Sequence, residues 1–512
     1  MHGGMRFAAR ISLVVVTGLL LLPQGASART VRNAWKVDLG SAQDVQSVTV
    51  RWRARRTHRY RVQTSLDGRT FKTATRVRAR RRARVALRGL QARFVRVVGN
   101  GRKPRLIRVV GRIRRSAPAR PAAPAPAQTQ ALAPRQSAGP GWVPAWRAGV
   151  LPAPLGPSTG TVRYVTMSGS DANPGTEARP WRSISKALAA AVPGDRVLVR
   201  AGTYVGTEGV GPSCGGSVGP CVYGSPKGTA SAPITVEAYP GERPVIAAMV
   251  SFPSPQWFRF SGFVIDGAQA PSGAEGVSLG NTSGAAPSHV EISYNEVRNF
   301  GRGAVSHKSQ GILHFSGTDT ALVGNRIHHI GSQVFYDHAI YMKAGRRVVV
   351  ANNVISDITG GYGLHIWGDF DDSWVINNTV YGAAASGFII GGNSDRGYPD
   401  RVVTANNILA GQSGTADGQQ GYAAKEYQPG RGNSTRHNLG WANSRSAPWA
   451  LTAAGPSDNR TADPRFANAG TRDLHPRGGS PAINSAESFG LLLDADRMRR
   501  SNAPDKGAYE VG

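Results

Sequence analysis

The stretch YDHAIYMKAG, residues 336–345, places Asp337, His338, Tyr341 and Lys343 in one short run: an acid, an imidazole, a phenol and an amine. Such a set can move protons or hold a charged ligand. In a strand, side chains alternate between faces, so if Ile340 and Met342 point inward, Tyr341 and Lys343 point outward. The pattern recurs in GILHF, AIYMK, GLHIW and GFIIG, whose first aliphatics are Ile312, Ile340, Leu364 and Phe388. Stacked in step, these segments set Phe315, Tyr341, Lys343, His365 and Trp367 side by side on one outer surface. His338 shares the parity of Ile340 but stands near a turn, which leaves its direction open. Aromatic faces with polar edges suit sugar rings, and Lys and His bond hydroxyls or carboxylates. The competing reading is that residues 411–433 form a loop long enough to cover the patch.

The turns after this surface are rich in oxygen. GDFDDS carries Asp369, Asp371 and Asp372, and GGNSDRGYPD carries Asn393, Asp395 and Asp400. Clustered carboxylates on adjacent turns are what Ca2+ requires, with its six to eight oxygen ligands. Asp, Asn and Gly also simply make turns. Arg346 and Arg347 stand a few residues after Lys343 and are candidate holders of a substrate carboxylate, with Lys343 as base and His338, Tyr341 or His365 as further acid–base groups. His307-Lys308 borders the same region. His328-His329 reads as a solvent-facing turn pair. No phosphate-binding glycine loop, zinc spacing or Gly-x-Ser-x-Gly elbow occurs.

What positions these residues is a repeat. Five segments, ISYNEV, LVGNRI, VANNVI, VINNTV and TANNIL, share an Asn after a short apolar strand: Asn295, Asn325, Asn353, Asn378 and Asn407. A period of 25 to 30 residues with short β-branched strands and Gly-rich turns predicts an all-β fold of stacked coils, a right-handed parallel β-helix. The repeated Asn then forms an internal amide ladder. RSISKALAAAV sets Ile184, Ala187, Leu188 and Ala191 on one face of a short helix that covers the open end of the stack.

Charge divides the chain. Residues 29–115 hold 27 Lys and Arg against Asp38, Asp44 and Asp67, a net +24 of the total +31. This basic module is expected to bind polyanions in a salt-dependent way. Its segments SVTVRWRA, YRVQTS and RFVRVVG alternate with period two. Residues 116–160 hold ten prolines and no acid and read as an extended spacer. Residues 161–512 are almost neutral. At the N-terminus, Arg6 and Arg10 precede an apolar run from Ile11 to Leu22 and the small-residue site Ala26-Ser27-Ala28. This predicts a signal peptide over residues 1–28 and an extracellular or periplasmic protein with no membrane span. Cys214 and Cys221 are then expected to form a disulfide.

Two resemblances follow from these stretches. AWKVDLGSAQDVQSVTV, YRVQTSLDGRTF and ARFVRVVG resemble discoidin-type domains, the coagulation-factor C-domain family. That resemblance implies a small β-sandwich-like domain. YVTMSGSDANPGTEARPWRSISKALAAAVPGDRVLVRAGTY resembles the N-terminal cap of secreted right-handed β-helix proteins of the pectate-lyase-like superfamily. ADPRFANAGTRDLHPRGGSPAIN and DKGAYE resemble their closing segment. This second resemblance implies a carbohydrate-active protein, and β-helix lyases commonly grip a uronate with Ca2+. The paired aspartates of the pectin-cleaving hydrolases and the calcium motifs of the established pectate lyases are not recognisable in their usual form. The expected function is binding of an acidic polysaccharide or cell-surface polyanion, with cleavage by β-elimination. The alternative is a non-catalytic glycan- or surface-binding β-helix. A dedicated nucleic-acid role is not expected of an exported protein.

Overall fold

A computed structural model of the chain describes residues 12–14, 34–51, 57–66, 70–80, 82–99, 106–112, 144–205, 221–270, 273–281, 285–301, 309–331, 336–415, 421–451 and 458–511. The chain divides into two compact units, residues 1–130 and 131–512. The first is a six-stranded antiparallel sheet. Two long strands, Ala34–Arg51 and Arg82–Gly99, form its centre, with register shifts near Asp38 and Val45. Its core gathers Val48, Val50, Tyr60, Val62, Val95 and Val97. Ser12–Val14, inside the expected signal segment, pairs with Leu106–Arg112 at one edge.

The second unit is a parallel β-helix. Among the described residues it has parallel sheets of nine, twelve and ten strands, in which interior strands bond to the strand one coil earlier and the strand one coil later. Inward aliphatics and a Phe cluster fill the bore: Phe260 stacks on Phe263 at 4.3 Å, and Phe252 meets Phe258 edge-on at 5.1 Å. Helix Ile184–Ala190 closes the N-terminal end, burying Ile184, Ala187 and Leu188. Ser183 caps it through its Oγ, which accepts from the Lys186 amide at 3.1 Å, and Asp171 holds Ser183 in turn.

The Asn ladder is present and longer than the five repeats imply. Each side-chain amide donates to the Oδ1 of the next in the series Asn295, Asn325, Asn353, Asn378, Asn407, Asn438 and Asn459. The residue before each ladder Asn is left-handed at Tyr294, Asn352, Asn377, Asn406 and His437. Asn tolerates that region, which explains the NN doublets: the first turns the chain and the second joins the ladder.

Two of the three outer faces are covered by the chain itself. Trp146 and Leu151 pack with Phe489 on Ala321, Val323, Val349, Ile376 and Ala405 of the second sheet. The spacer therefore ends earlier than residue 160, because Trp146, Leu151 and Leu155 carry apolar surface that the sheet buries. The closing segment covers the third sheet with Phe466, Leu474, Ala482 and Tyr509. Buried Arg500 ties that segment down through Asn352 and Glu510. Cys221 is disulfide-bonded; Cys214 lies outside the described residues.

His475 closes the same segment. Its Nδ1 meets Asp473 at 2.6 Å and its Nε2 meets Asp496 at 2.8 Å, with the ring stacked on Tyr509. Burial disfavours the imidazolium, but hydrogen bonds to Asp496 and Asp473 outweigh it, and the pKa rises. A raised folded pKa gives stability that is full below about 6.5, the unfolded value, and is lost as pH rises through the folded one. The thermal midpoint is expected to fall more between pH 6 and pH 8.5 in the wild type than in His475→Gln. Equal falls would remove His475 as the cause.

Candidate functional site

Among the described residues no packed segment covers the first sheet. Along it Leu313 pairs with Tyr341, Tyr341 with His365, His365 with Ile389, and Ile389 with Lys425. These residues border a cleft of about 540 Å³ that also takes in His338, Lys343, Trp367 and Tyr427. Ile340, Met342, Leu364 and Ile366 are in the core, as the alternation requires.

Stacking fixes the centre of the cleft. His365 lies parallel to Tyr341, with centroids 4.5 Å apart and planes within 10°. Burial pushes the His365 imidazole down to about 3, so it is neutral at physiological pH. Its Nδ1 has no hydrogen-bond partner among the described residues. His338 faces the cleft too, its ring edge-on to His365 at 4.3 Å. The His338 Nδ1 accepts from the Tyr362 amide at 3.0 Å, which puts the proton of the neutral ring on Nε2. Burial pushes the Tyr341 phenol up, partly opposed by the Arg396 charge, so it stays protonated and can donate. The Lys343 Nζ stands 4.3 Å over the Phe315 ring and 5.6 Å over Tyr341. Phe315 thus forms the floor beneath Lys343.

A second stack flanks the first. Trp367 and Tyr427 lie at 5.8 Å with planes within 15°. Gly391 stands between them in the ladder, and a Cβ there would come within 2.9 Å of the Trp367 ring and 2.4 Å of the Tyr427 carbonyl. Gly391 is what lets the two rings approach.

Sequence reasoning missed Arg396, Lys425 and Tyr427 of the polar rim and set Asn393 among oxygen ligands for Ca2+. Asn393 and Arg396 come from the turn after the next strand, and Lys425 and Tyr427 from strand Ala424–Tyr427. That strand lies inside residues 411–433 and extends the sheet, with Ala424 continuing the inward stack on Phe388; residues 416–420 lie outside the described residues. Reading AAKEY as the next rung would have found both residues. Glu275 lies one coil before Gln310 and had no motif to mark it. Burial pushes its carboxyl up, against a Ser278 hydrogen bond and the Lys343 charge.

Arg346 and Arg347 do not line the cleft. Arg346 pairs with Asp372 at 3.0 Å, and the Arg347 Nε donates to Asp319 at 2.7 Å. Asp319, Arg347, Asp372 and Arg401 all have φ near +50° at the turn into the second sheet, an alternating charge ladder in which Arg401 also pairs with Asp372. Asp371 accepts from the Asp400 amide at 3.0 Å, Asp369 packs against Gly397, and Asp395 is exposed. Guanidinium groups already neutralise Asp372 and flank Asp371, which leaves those two carboxylates a poor fit to Ca2+. Among the described residues no three His, Cys, Asp or Glu side chains form a metal-holding group. His328 bonds Glu296 at 3.1 Å, away from the cleft. His307 and Lys308 lie outside the described residues.

Comparison with known proteins agrees with this architecture. The family described as "Pel9A-like, right handed beta helix region" matches residues 163–299, and "Right handed beta helix region" matches residues 259–425. "NedA-like, galactose-binding domain" matches residues 25–97. Among solved structures, pectate lyase Pel9A aligns at 16% identity over 70% of this chain and 98% of its own, with a TM-score of 0.44. The alginate lyase from Paenibacillus sp. str. FPU-7 aligns at 18% over 55% and 90%, with a TM-score of 0.40. A rhamnogalacturonan lyase aligns at 16% over 55% and 74%, with a TM-score of 0.39. No curated protein matches the chain.

Proposed function

For a chain that is a right-handed parallel β-helix protein of the pectate-lyase-like superfamily with a discoidin-type N-terminal domain, we propose binding of an acidic polysaccharide in the Tyr341–His365 cleft and its cleavage by β-elimination. The observation that carries this reading is that the outer face of the first sheet gathers two aromatic stacks with Lys343, Arg396 and Lys425 around them. Stacked rings accept sugar faces, and the cations complement carboxylates.

The step requires a base for the proton beside the carboxylate, positive charge for the enolate-like transition state, and an acid for the departing oxygen. Lys343 takes the C5 proton, the C4–O bond breaks as the C4–C5 double bond forms, and Tyr341 protonates the departing oxygen. Arg396 and Lys425 meet the carboxylate. His338 offers its Nε2–H to a hydroxyl. Neutral His365 holds the Tyr341 ring in place and brings no charge into the site. This reading assigns the acid–base work to Lys343 and Tyr341, and the export expected from the N-terminal segment would bring the protein to such polymers.

The test is a panel of polyuronates scored by the ultraviolet absorbance of unsaturated products. Absorbance with one or more of them supports elimination. Binding without new absorbance across the panel overturns it in favour of a non-catalytic glycan-binding β-helix. Trp367→Ala removes half of the second stack and is expected to raise KM about tenfold, equivalent to about 1.4 kcal/mol, with kcat little changed. A loss confined to kcat would place Trp367 outside the sugar platform.

A further inference from the structure

The N-terminal unit carries a feature that the cleft does not explain. Strands His58–Ser65 and Lys72–Ala79 pair antiparallel, with Arg59 directly opposite Arg78 and Arg61 directly opposite Arg76. All four are exposed. Neither strand contains an acid. Among the described residues none of the four is ion-paired or hydrogen-bonded through its side chain. The opposite face buries Tyr60 and Val62 in the core. The arginines edge a groove of about 460 Å³ with Val98 and Gly99.

Like charges directly opposite on neighbouring strands destabilise a sheet. Charge on an edge strand does guard against strand-to-strand aggregation, and Lys72–Ala79 is the edge here. That accounts for Arg76 and Arg78. It does not account for Arg59 and Arg61, which stand on the inner strand exactly where they oppose the first pair. Arg96, on the next strand, shows the contrast: its Nε donates to Gln63 at 3.0 Å and its guanidinium covers Phe71 at 3.9 Å. Among the described residues the four hairpin arginines have no such use.

We propose that the Arg59–Arg61–Arg76–Arg78 face is a second binding site, for a carboxylate-bearing polysaccharide chain. Opposed Cβ atoms stand about 5 Å apart and successive residues on one face about 7 Å apart. This arrangement presents four planar forks in a small rectangle, and the guanidinium fork takes a carboxylate bidentately. A polymer with a charge on each unit fills several forks at once. The choice of polysaccharide over other polyanions rests on the reading of the cleft, since one chain then holds and processes one polymer.

The experiment is binding of full-length protein to polygalacturonate and to alginate, with duplex DNA and polyphosphate as parallel probes. The combined Arg59→Gln, Arg61→Gln, Arg76→Gln, Arg78→Gln variant is expected to lose at least tenfold in affinity for a polyuronate and to keep or raise its thermal midpoint. The fourfold Arg→Lys variant, which keeps the charge but not the fork, is expected to fall between the two. Polyuronate affinity within twofold of wild type overturns the proposal. So does a loss seen only with DNA or polyphosphate, which would assign the face to another class of partner. A thermal midpoint well below wild type would give the arginines a structural role, and the Arg→Lys variant then decides: wild-type affinity with lysine removes the fork argument. Absence of unsaturated product bears on the cleft alone, because this site is read by binding.

Discussion

Lys343→Ala is expected to lower turnover of a cleaved polyuronate by about 10²- to 10⁴-fold, the span of a positioned general base, while the protein still folds. Lys343 projects outward from a strand whose inward residues, Ile340 and Met342, stay in place, so the core is untouched. Two roles must be separated. As a base, Lys343 must shed its proton; as a charge-neutralising group it must keep it. Lys343→Arg decides, because arginine keeps the charge but cannot be deprotonated in a protein. The base role predicts that Lys343→Arg is as inactive as Lys343→Ala and that wild-type kcat/KM climbs with pH. Near-wild-type turnover in Lys343→Arg would reassign Lys343 to holding the carboxylate. Tyr341→Phe should cost less than Lys343→Ala when the departing oxygen has a good path to water. His338→Ala should act mainly through KM, since its Nδ1 is occupied by the Tyr362 amide.

The parts of this site that could be read in the sequence are those governed by alternation and period. Tyr341, His365 and Trp367 face outward because Ile340, Leu364 and Ile366 must face inward, and a strict coil repeat lines them up. Arg346 and Arg347 escaped because proximity in sequence says nothing about which side of a turn a residue takes. Both come just after Gly345, at the turn toward the second sheet, and join the charge ladder there. The same ladder claims Asp372, so a sequence cluster of aspartates became a row of ion pairs. Arg396, Lys425 and Glu275 were hidden for another reason. They reach the cleft from other coils, and irregular coil lengths, with 36 residues between the paired Phe388 and Ala424, break the simple count.

Asn353→Ala is expected to cost about 3–5 kcal/mol of unfolding free energy, at the upper end for a single substitution. Asn353 is fully buried in the middle of the ladder. Its Nδ2 donates to the Leu322 carbonyl at 2.8 Å and to the Asn378 Oδ1 at 2.9 Å. Its Oδ1 accepts from both the backbone amide and the side-chain amide of Asn325, each at 3.0 Å. Truncation therefore takes a partner from both Asn325 donors and from the Leu322 carbonyl in a dry turn, while Asn378 Oδ1 keeps the Asn353 backbone amide, and each buried unsatisfied group costs about 1–3 kcal/mol. Partial entry of water lowers the sum toward the stated range. Asp in its place is expected to be no better, since it keeps the acceptors but loses both donated bonds and brings a buried charge. Asn459, the half-buried last rung, gives the internal control: it donates to the Thr435 carbonyl and serves one neighbour, Asn438, with water within reach. Asn459→Ala should cost about 1 kcal/mol. Chemical denaturation of the two variants beside wild type measures both. Equal costs at Asn353 and Asn459 would mean that coil stacking is held by the inward aliphatics alone and that the amides only mark the turn.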